Sequence, residues 1–319
     1  MHRNQTRFVW LEITGKCQLQ CTHCYNESGP TGTHGMMTVP DWRRVIDEAA
    51  ELGVELIQFI GGEPTLHPAL PELVDHGLER GMEVEVFSNL VHVRADLWDT
   101  FTRPGVRLAT SWYSDDPIEH AAITRRPGHL RTRANIAEAV RRSIPLRVGI
   151  IGVLDGQRTR QAEAMLADLG VTDIGYDDLR QIGRGVRDRP QGVDQLCGAC
   201  TSGNVAVGPD GTVWPCVMAR WLPIGNVNDS TLSDIVVGPQ TASVTEYLNA
   251  HFEPIEAPCT PKMCNPQCGP SCSPACNPQN NCRPKGNCAP SYSCGPCSPK
   301  DRTCSPDMSC RPNNCRPTR

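Results

Sequence analysis

Cys17, Cys21 and Cys24 stand at x3 and x2 spacing in the run Cys17-Gln-Leu-Gln-Cys21-Thr-His-Cys24, which puts three thiols in one short loop. Three thiolates can hold three irons of a cubane iron–sulfur cluster and leave the fourth iron open to a small chelating ligand. A zinc ion would want a fourth protein ligand, which His23 or His34 would supply, and from these residues alone that reading stays open. A second set of cysteines lies far along the chain: Cys197 and Cys200 at x2 spacing, then Cys216. Taken alone these three fit half of a zinc ribbon as well as part of a second cluster site.

Such loops need a scaffold, and the surrounding sequence describes one. Short apolar runs rich in β-branched residues predict strands over 8–13, 56–60, 83–87, 106–110, 146–153 and 173–176. Between them run stretches of helical period. The clearest follows Thr38, with Pro40 in its first turn and Trp42, Val45, Ile46, Ala49 and Leu52 on one face before Gly53 ends it. Residues 158–169 behave similarly, stopping at Gly170, and weaker helices are predicted over 70–79, 95–101 and 133–142. Alternation of this kind gives an α/β fold of parallel strands with crossover helices, either a βα barrel or a doubly wound sheet. The cysteine triplet falls in the loop after the first strand.

After Gly185 the pattern changes. Residues 204–207, the turn Gly208-Pro-Asp-Gly211 and residues 212–214 read as a β-hairpin, with Cys216 just beyond it. From Cys259 onward the chain becomes a low-complexity segment holding twelve of the eighteen cysteines, each with proline two positions later. Proline at that density forbids helix and interrupts sheet. The segment carries eight Lys or Arg against two Asp, a balance of +6, while residues 1–258 carry −10. Basic tail and acidic body attract weakly, and salt screens the attraction.

The 319 residues suffice for a large domain and a smaller module, and a net charge of −4 without a basic stripe argues against nucleic acid as a partner. The polar start, Met1 to Arg7, predicts no signal peptide, and no segment is long and apolar enough for a membrane span. Eighteen cysteines without an export signal predict metal-binding thiols in the cytoplasm rather than disulfides.

The triplet, followed by Tyr25 and Asn26, resembles the cluster loop of the radical SAM superfamily, and of its peptide-modifying branch in particular. Where that family often has an aromatic residue before the third cysteine, this chain has His23. Gly61-Gly62-Glu63-Pro64, at the end of the second strand, is similar to the family's glycine-rich motif. The resemblance implies that both glycines let backbone approach S-adenosylmethionine and that Glu63 accepts from its amino group. It further implies contacts from Ser88, Asn89 and Ser111 to ribose and carboxylate, with Arg125 or Arg126 pairing with the carboxylate. Gln181-Ile-Gly-Arg-Gly185 resembles the segment that leaves the barrel beside the adenine. The similarity runs over residues 8–185 and implies a partial (β/α)6 TIM-like barrel.

Cys197, Cys200, the hairpin and the Gly211-x4-Cys216 spacing resemble the SPASM extension of the same superfamily, a small irregular cysteine-rich cluster-binding module. This implies at least one auxiliary 4Fe-4S cluster, drawing on Cys197, Cys200, Cys216 and early tail cysteines such as Cys259 and Cys264. Three regions are therefore expected: a core barrel over 1–190, the module over 191–276 and the Cys-x-Pro tail over 277–319. The tail reads as a disordered or metal-binding appendage, with a docking segment or a copy of the enzyme's own substrate as alternatives.

By this resemblance the chain is an oxidoreductase that reductively cleaves S-adenosylmethionine at a 4Fe-4S cluster. The resulting 5′-deoxyadenosyl radical takes a hydrogen atom from a substrate, expected to be a peptide or protein that is crosslinked, epimerised or oxidised. The electron donor would be a flavodoxin or ferredoxin. A small-molecule substrate is one alternative and a non-catalytic iron–sulfur carrier or metal-binding protein is another. Asp115, Asp116, Asp177 and Asp178, near strand ends, are candidates for an acid or base that no motif assigns.

Overall fold

The first strand, β1 (Phe8–Thr14), is buried along its whole length, and so is β2 (Leu56–Gly61). Strands covered on both faces read as continuous apolar runs, the signature of a parallel sheet under helices. The protein, seen in a computed structural model that describes residues 6–252, bears this out. β3 (Glu83–Phe87), β4 (Val106–Trp112), β5 (Leu146–Gly152) and β6 (Asp173–Asp178) follow in order, each parallel to the last. Together they form the partial (β/α)6 barrel.

Helix α1 (Val39–Glu51) begins with a capping box in which the Thr38 hydroxyl accepts from Asp41 N and the Asp41 carboxylate accepts from Thr38 N. It buries Trp42, Val45, Ile46 and Ala49. Helices α2 (Leu70–Glu79) and α3 (Ala95–Phe101) occupy the spans their periodicity predicts. Helix α4 (Pro117–Thr124) is an addition: Asp116 caps it by accepting from Ile118 N at 2.7 Å, which gives that aspartate a structural task. Helices α5 (His129–Arg141) and α6 (Thr159–Asp168) complete the layer.

The hairpin, β7 (Asn204–Val207) and β8 (Thr212–Trp214), forms as predicted but does not stand apart from the barrel. Strand β7 pairs in parallel with β1, and the short β9 (Gly225–Asn226) pairs with β8. One nine-stranded sheet results, in the order β6-β5-β4-β3-β2-β1-β7-β8-β9. The physical reason is the free edge of β1, whose unpaired backbone groups need partners, and the apolar Val205, Ala206 and Val207 that bury themselves there. Helices α7 (Leu232–Val237) and α8 (Pro239–Asn249) close this end, with Leu232 N donating to Glu48 of α1 at 2.7 Å. Cys259, Cys264 and the Cys-x-Pro array lie outside the described residues. No helix among the described residues is long and apolar enough to cross a membrane.

Candidate functional site

The loop after β1 is held from several sides. Cys17 N donates to Gly29 O at 3.0 Å, while Gln20 N and Thr22 N donate to Thr124 O and Ile123 O at the end of α4. Arg184 closes the ring: its Nε donates to Cys21 O at 2.8 Å, its Nη2 to Ser28 O at 2.6 Å and its backbone N to Cys24 O at 3.0 Å. The approach depends on Gly183, which has φ +54° and whose absent Cβ would collide with the carbonyls of Cys24 and Tyr25. Thus Gln181-Ile-Gly-Arg-Gly185 works chiefly as a clamp on the cysteine loop.

Burial pushes the Cys17 thiol up to about 12, with the Glu63 charge and Cys24 adding to the effect. Cys21 and Cys24 are raised as well, again mainly by burial. The thiolate is the form that ligates metal, and a bound cationic centre supplies the charge that drives such protons off. The Asn89 amide lies 3.6 Å from Cys17 Sγ and Leu19 N donates to that sulfur at 3.4 Å. Among the described residues no three His, Cys, Asp or Glu side chains gather closely enough to hold a single ion. In a cubane each thiolate sits on its own iron, so the three sulfurs need not converge on one ion. His34, the other candidate zinc ligand, pairs instead with Thr14 Oγ1 at 2.9 Å and packs on His67.

Gly61 and Gly62 bring the turn after β2 onto this loop. A Cβ on Gly61, which has φ +131°, would strike Thr14 O, and one on Gly62 would strike Lys16 O. Gly62 N and Glu63 N instead donate to those two carbonyls, at 2.6 and 2.8 Å. Glu63 is fully buried, and its carboxylate accepts from Thr65 N, Thr65 Oγ1, Ser88 Oγ and Asn89 N at 2.7 to 3.1 Å. Burial raises its pKa while those four donors pull against the rise. Glu63 therefore spends its carboxylate on these four donors, Ser88 Oγ also accepts from Leu90 N at 3.0 Å, and Pro64 opens a 3-10 turn behind them.

An open cavity lies at the carboxyl ends of β1 to β6. Cys17, Cys21 and Cys24 face it, as do Gly61, Gly62, Asn89 and Ser111; Glu63, Pro64, Ser88 and Arg125 are not on its wall. Arg125 sits exposed as the left-handed C-cap of α4, with φ 61°. Tyr113 and His120 also line it without having been singled out in the sequence, whereas Arg184 belongs to the Gln181–Gly185 motif. Tyr113, just beyond β4, hydrogen-bonds Ser111 and lies 3.1 Å from His23 Nε2. Its position two residues past Ser111, at a strand end, was the available signal. Asp178 also reaches the cavity, whereas Asp115 is engaged by Arg158 at 2.7 and 2.8 Å.

The second cysteine set also comes together. Cys200 donates to Cys216 across 3.4 Å, both buried, and Cys197 is close enough to raise the Cys200 thiol further. Holding the shared proton keeps Cys200 well above the usual thiol range. Met218, two residues past Cys216, lines the main cavity and donates its N–H to Cys216 Sγ at 3.3 Å.

Residues 11–169 match the radical SAM superfamily, and residues 197–273 match SPASM, an iron–sulfur cluster-binding domain. The chain belongs to the radical SAM superfamily, with a SPASM extension. Relatives of this radical SAM protein include the PqqA peptide cyclase of Streptomyces rochei, 30% identical over 183 residues that make up 56% of this chain and 50% of that one. The PqqA peptide cyclase of Bradyrhizobium diazoefficiens is 39% identical over 57% of this chain and 48% of its own length. The chain spans about half the length of these curated relatives. Streptococcus suis SuiB bound to S-adenosylmethionine has the same fold, with a TM-score of 0.63 over 75% of this chain and 68% of SuiB at 12% identity. So does anSMEcpe with bound AdoMet, with a TM-score of 0.60 over 74% and 82% at 12% identity.

Proposed function

We propose that this chain is an oxidoreductase that binds a 4Fe-4S cluster and S-adenosylmethionine at the cavity over β1 to β6 and modifies a peptide there. One observation carries the reading: Cys17, Cys21 and Cys24 face the same cavity as Gly61, Gly62, Asn89 and Ser111. When bound, that pair of cofactors supplies a reductively generated adenosyl radical able to take a hydrogen atom from an unactivated carbon.

The chain's own residues hold, orient and shield. Cys17, Cys21 and Cys24 are the thiolates for three irons, and Arg184 keeps their loop in register with the strand ends. The Gly61-Gly62 turn packs its backbone on the cysteine loop and borders the cavity, and Glu63 fixes that turn against Ser88 and Asn89. Asn89 and Ser111 present polar groups to the ribose and carboxylate. Tyr113, His23 and Ile151 wall off water, as a reactive radical requires. Cys197, Cys200 and Cys216 are ligands for an auxiliary cluster, completed by tail cysteines such as Cys259 and Cys264.

A peptide substrate is supported by the relatives named PqqA peptide cyclase and by the fold shared with SuiB, which has been solved bound to the precursor peptide SuiA. A flavodoxin or ferredoxin is the fitting electron donor. The test is anaerobic: reconstituted protein, reduced with dithionite, is incubated with S-adenosylmethionine and 5′-deoxyadenosine is measured. Two peptides are then added, a synthetic copy of residues 277–319 and the product of any short reading frame beside the gene. Release of 5′-deoxyadenosine with loss of hydrogen from a peptide is expected. Its absence with intact clusters would return the chain to the electron carriers.

A further inference from the structure

Strand β1 carries Glu12 with its side chain almost wholly buried. An unpaired carboxylate there would be costly. Two donors hold it: Tyr25 Oη at 3.0 Å on one oxygen and Arg220 Nη1 at 2.7 Å on the other. Tyr25 follows Cys24 directly, whereas Arg220 lies four residues beyond Cys216. The Arg220 guanidinium also stacks over the Trp214 ring at 4.3 Å. A line of contacts thus runs from the hairpin, Trp214 to Arg220 to Glu12 to Tyr25, and ends at the third cysteine of the first loop.

The hairpin does not need this line in order to stay attached. Four registered pairs join β7 to β1, and the hairpin tip is docked separately where Pro209 O accepts from Met36 N and Met37 N at 2.8 and 3.1 Å. A buried ion pair adds little net stability over an apolar replacement, but it fixes geometry. The geometry fixed here is the Tyr25 ring and, through it, the backbone of Cys24.

We propose that Arg220 is a positioning residue: through Glu12 and Tyr25 it sets the loop that presents Cys17, Cys21 and Cys24, so that the Cys216 loop and the first cysteine loop move as one unit. The inference rests on reading that first loop as the S-adenosylmethionine cluster site. Loss of order around Cys216 is then felt at the first cluster, although the two loops are far apart in sequence.

The experiment compares Arg220→Met, Arg220→Lys and Tyr25→Phe with the unsubstituted protein. Hydrogen exchange is measured on metal-free protein, and the EPR spectrum and midpoint potential of the first cluster on anoxically reconstituted protein. In R220M, exchange over residues 15–30 should rise about tenfold or more while β3 and β4 stay unchanged. R220K should fall between. Y25F should loosen the loop without loosening the hairpin, because Arg220 keeps Glu12. EPR spectrum and potential should shift in R220M and Y25F and return toward normal in R220K. Unchanged exchange over 15–30 in folded R220M and Y25F overturns the proposal, as does loosening confined to the hairpin. Should R220M not fold, R220K and Y25F decide it by the same measure. If the unsubstituted protein assembles no first cluster yet the loop loosens as expected, the cluster reading fails and the linkage stands.

Discussion

Ser88 Oγ donates to Glu63 Oε1 across 2.8 Å in a fully buried setting, joining the turn after β2 to the end of β3. The bond makes Glu63 a brace for the cavity wall, since its remaining capacity goes to Thr65 and to Asn89 N. Two strand ends are thereby held at one depth, and Asn89 is left facing the Cys17 sulfur.

Glu63→Ala should therefore act first on stability. Losing a carboxylate that satisfies four donors leaves them unpaired, at about 2–4 kcal/mol. Chemical denaturation of the metal-free protein measures this, and Glu63→Gln should recover part of the loss. A fall in 5′-deoxyadenosine formation with unchanged metal-free stability would instead give Glu63 a direct role on the ligand.

Single substitutions of Cys17, Cys21 or Cys24 by Ala should abolish the first cluster's EPR signal and reduce 5′-deoxyadenosine to background. Cys216→Ala should keep the first cluster and its cleavage of S-adenosylmethionine, with that cluster's EPR spectrum shifted, and lose peptide product. Iron content, EPR and product mass separate the two sites.

Gly183→Ala tests the clamp. Its positive φ costs about 1 kcal/mol for any L side chain, and the collision with the Cys24 and Tyr25 carbonyls adds to that, for a total of about 2–3 kcal/mol. Gly156→Ala is the control, since Gly156 also has positive φ but nothing near its absent Cβ. It should cost about 1 kcal/mol. Equal losses at both positions, measured by thermal or urea unfolding, would remove the clamp from the account.

Acid should weaken the metal-free protein through its buried histidines. Burial lowers His120 and His67 from 6.5 to about 4. Between those values the unfolded chain binds more protons than the folded one, so stability falls as pH drops from about 6.5 toward 4. Replacing His120 by Asn should flatten that fall by about 2 kcal/mol over the interval. Urea unfolding at pH 7 and at pH 5 gives the comparison.

Much of the fold was legible because its signals are local. Strand bounds followed from β-branched runs, and α1 from its capping residues and apolar face. Helix α4 was missed although Asp116 and Pro117 mark its start, because its apolar residues do not share one face: Ile118 is exposed while Ile123 is buried. In the candidate site the cysteines and glycines were picked out by spacing, whereas nothing local announced that Arg125 would stand at the exposed C-cap of α4, because a loop's polar residues carry no sign of which way they face.

What the sequence by itself determined is the order of strands and helices, the three thiols after the first strand and the hairpin before Cys216, all properties of neighbouring residues. Only the tertiary structure decided that β7 joins the free edge of β1, that Glu63 turns inward, that Arg184 grips a carbonyl 163 residues away and that Arg220 reaches Glu12 across 208. Hydrogen-bond partners at such separations depend on how the packed elements close on one another, and a polar side chain's own residue type does not record which distant donor or acceptor the closed chain brings to it.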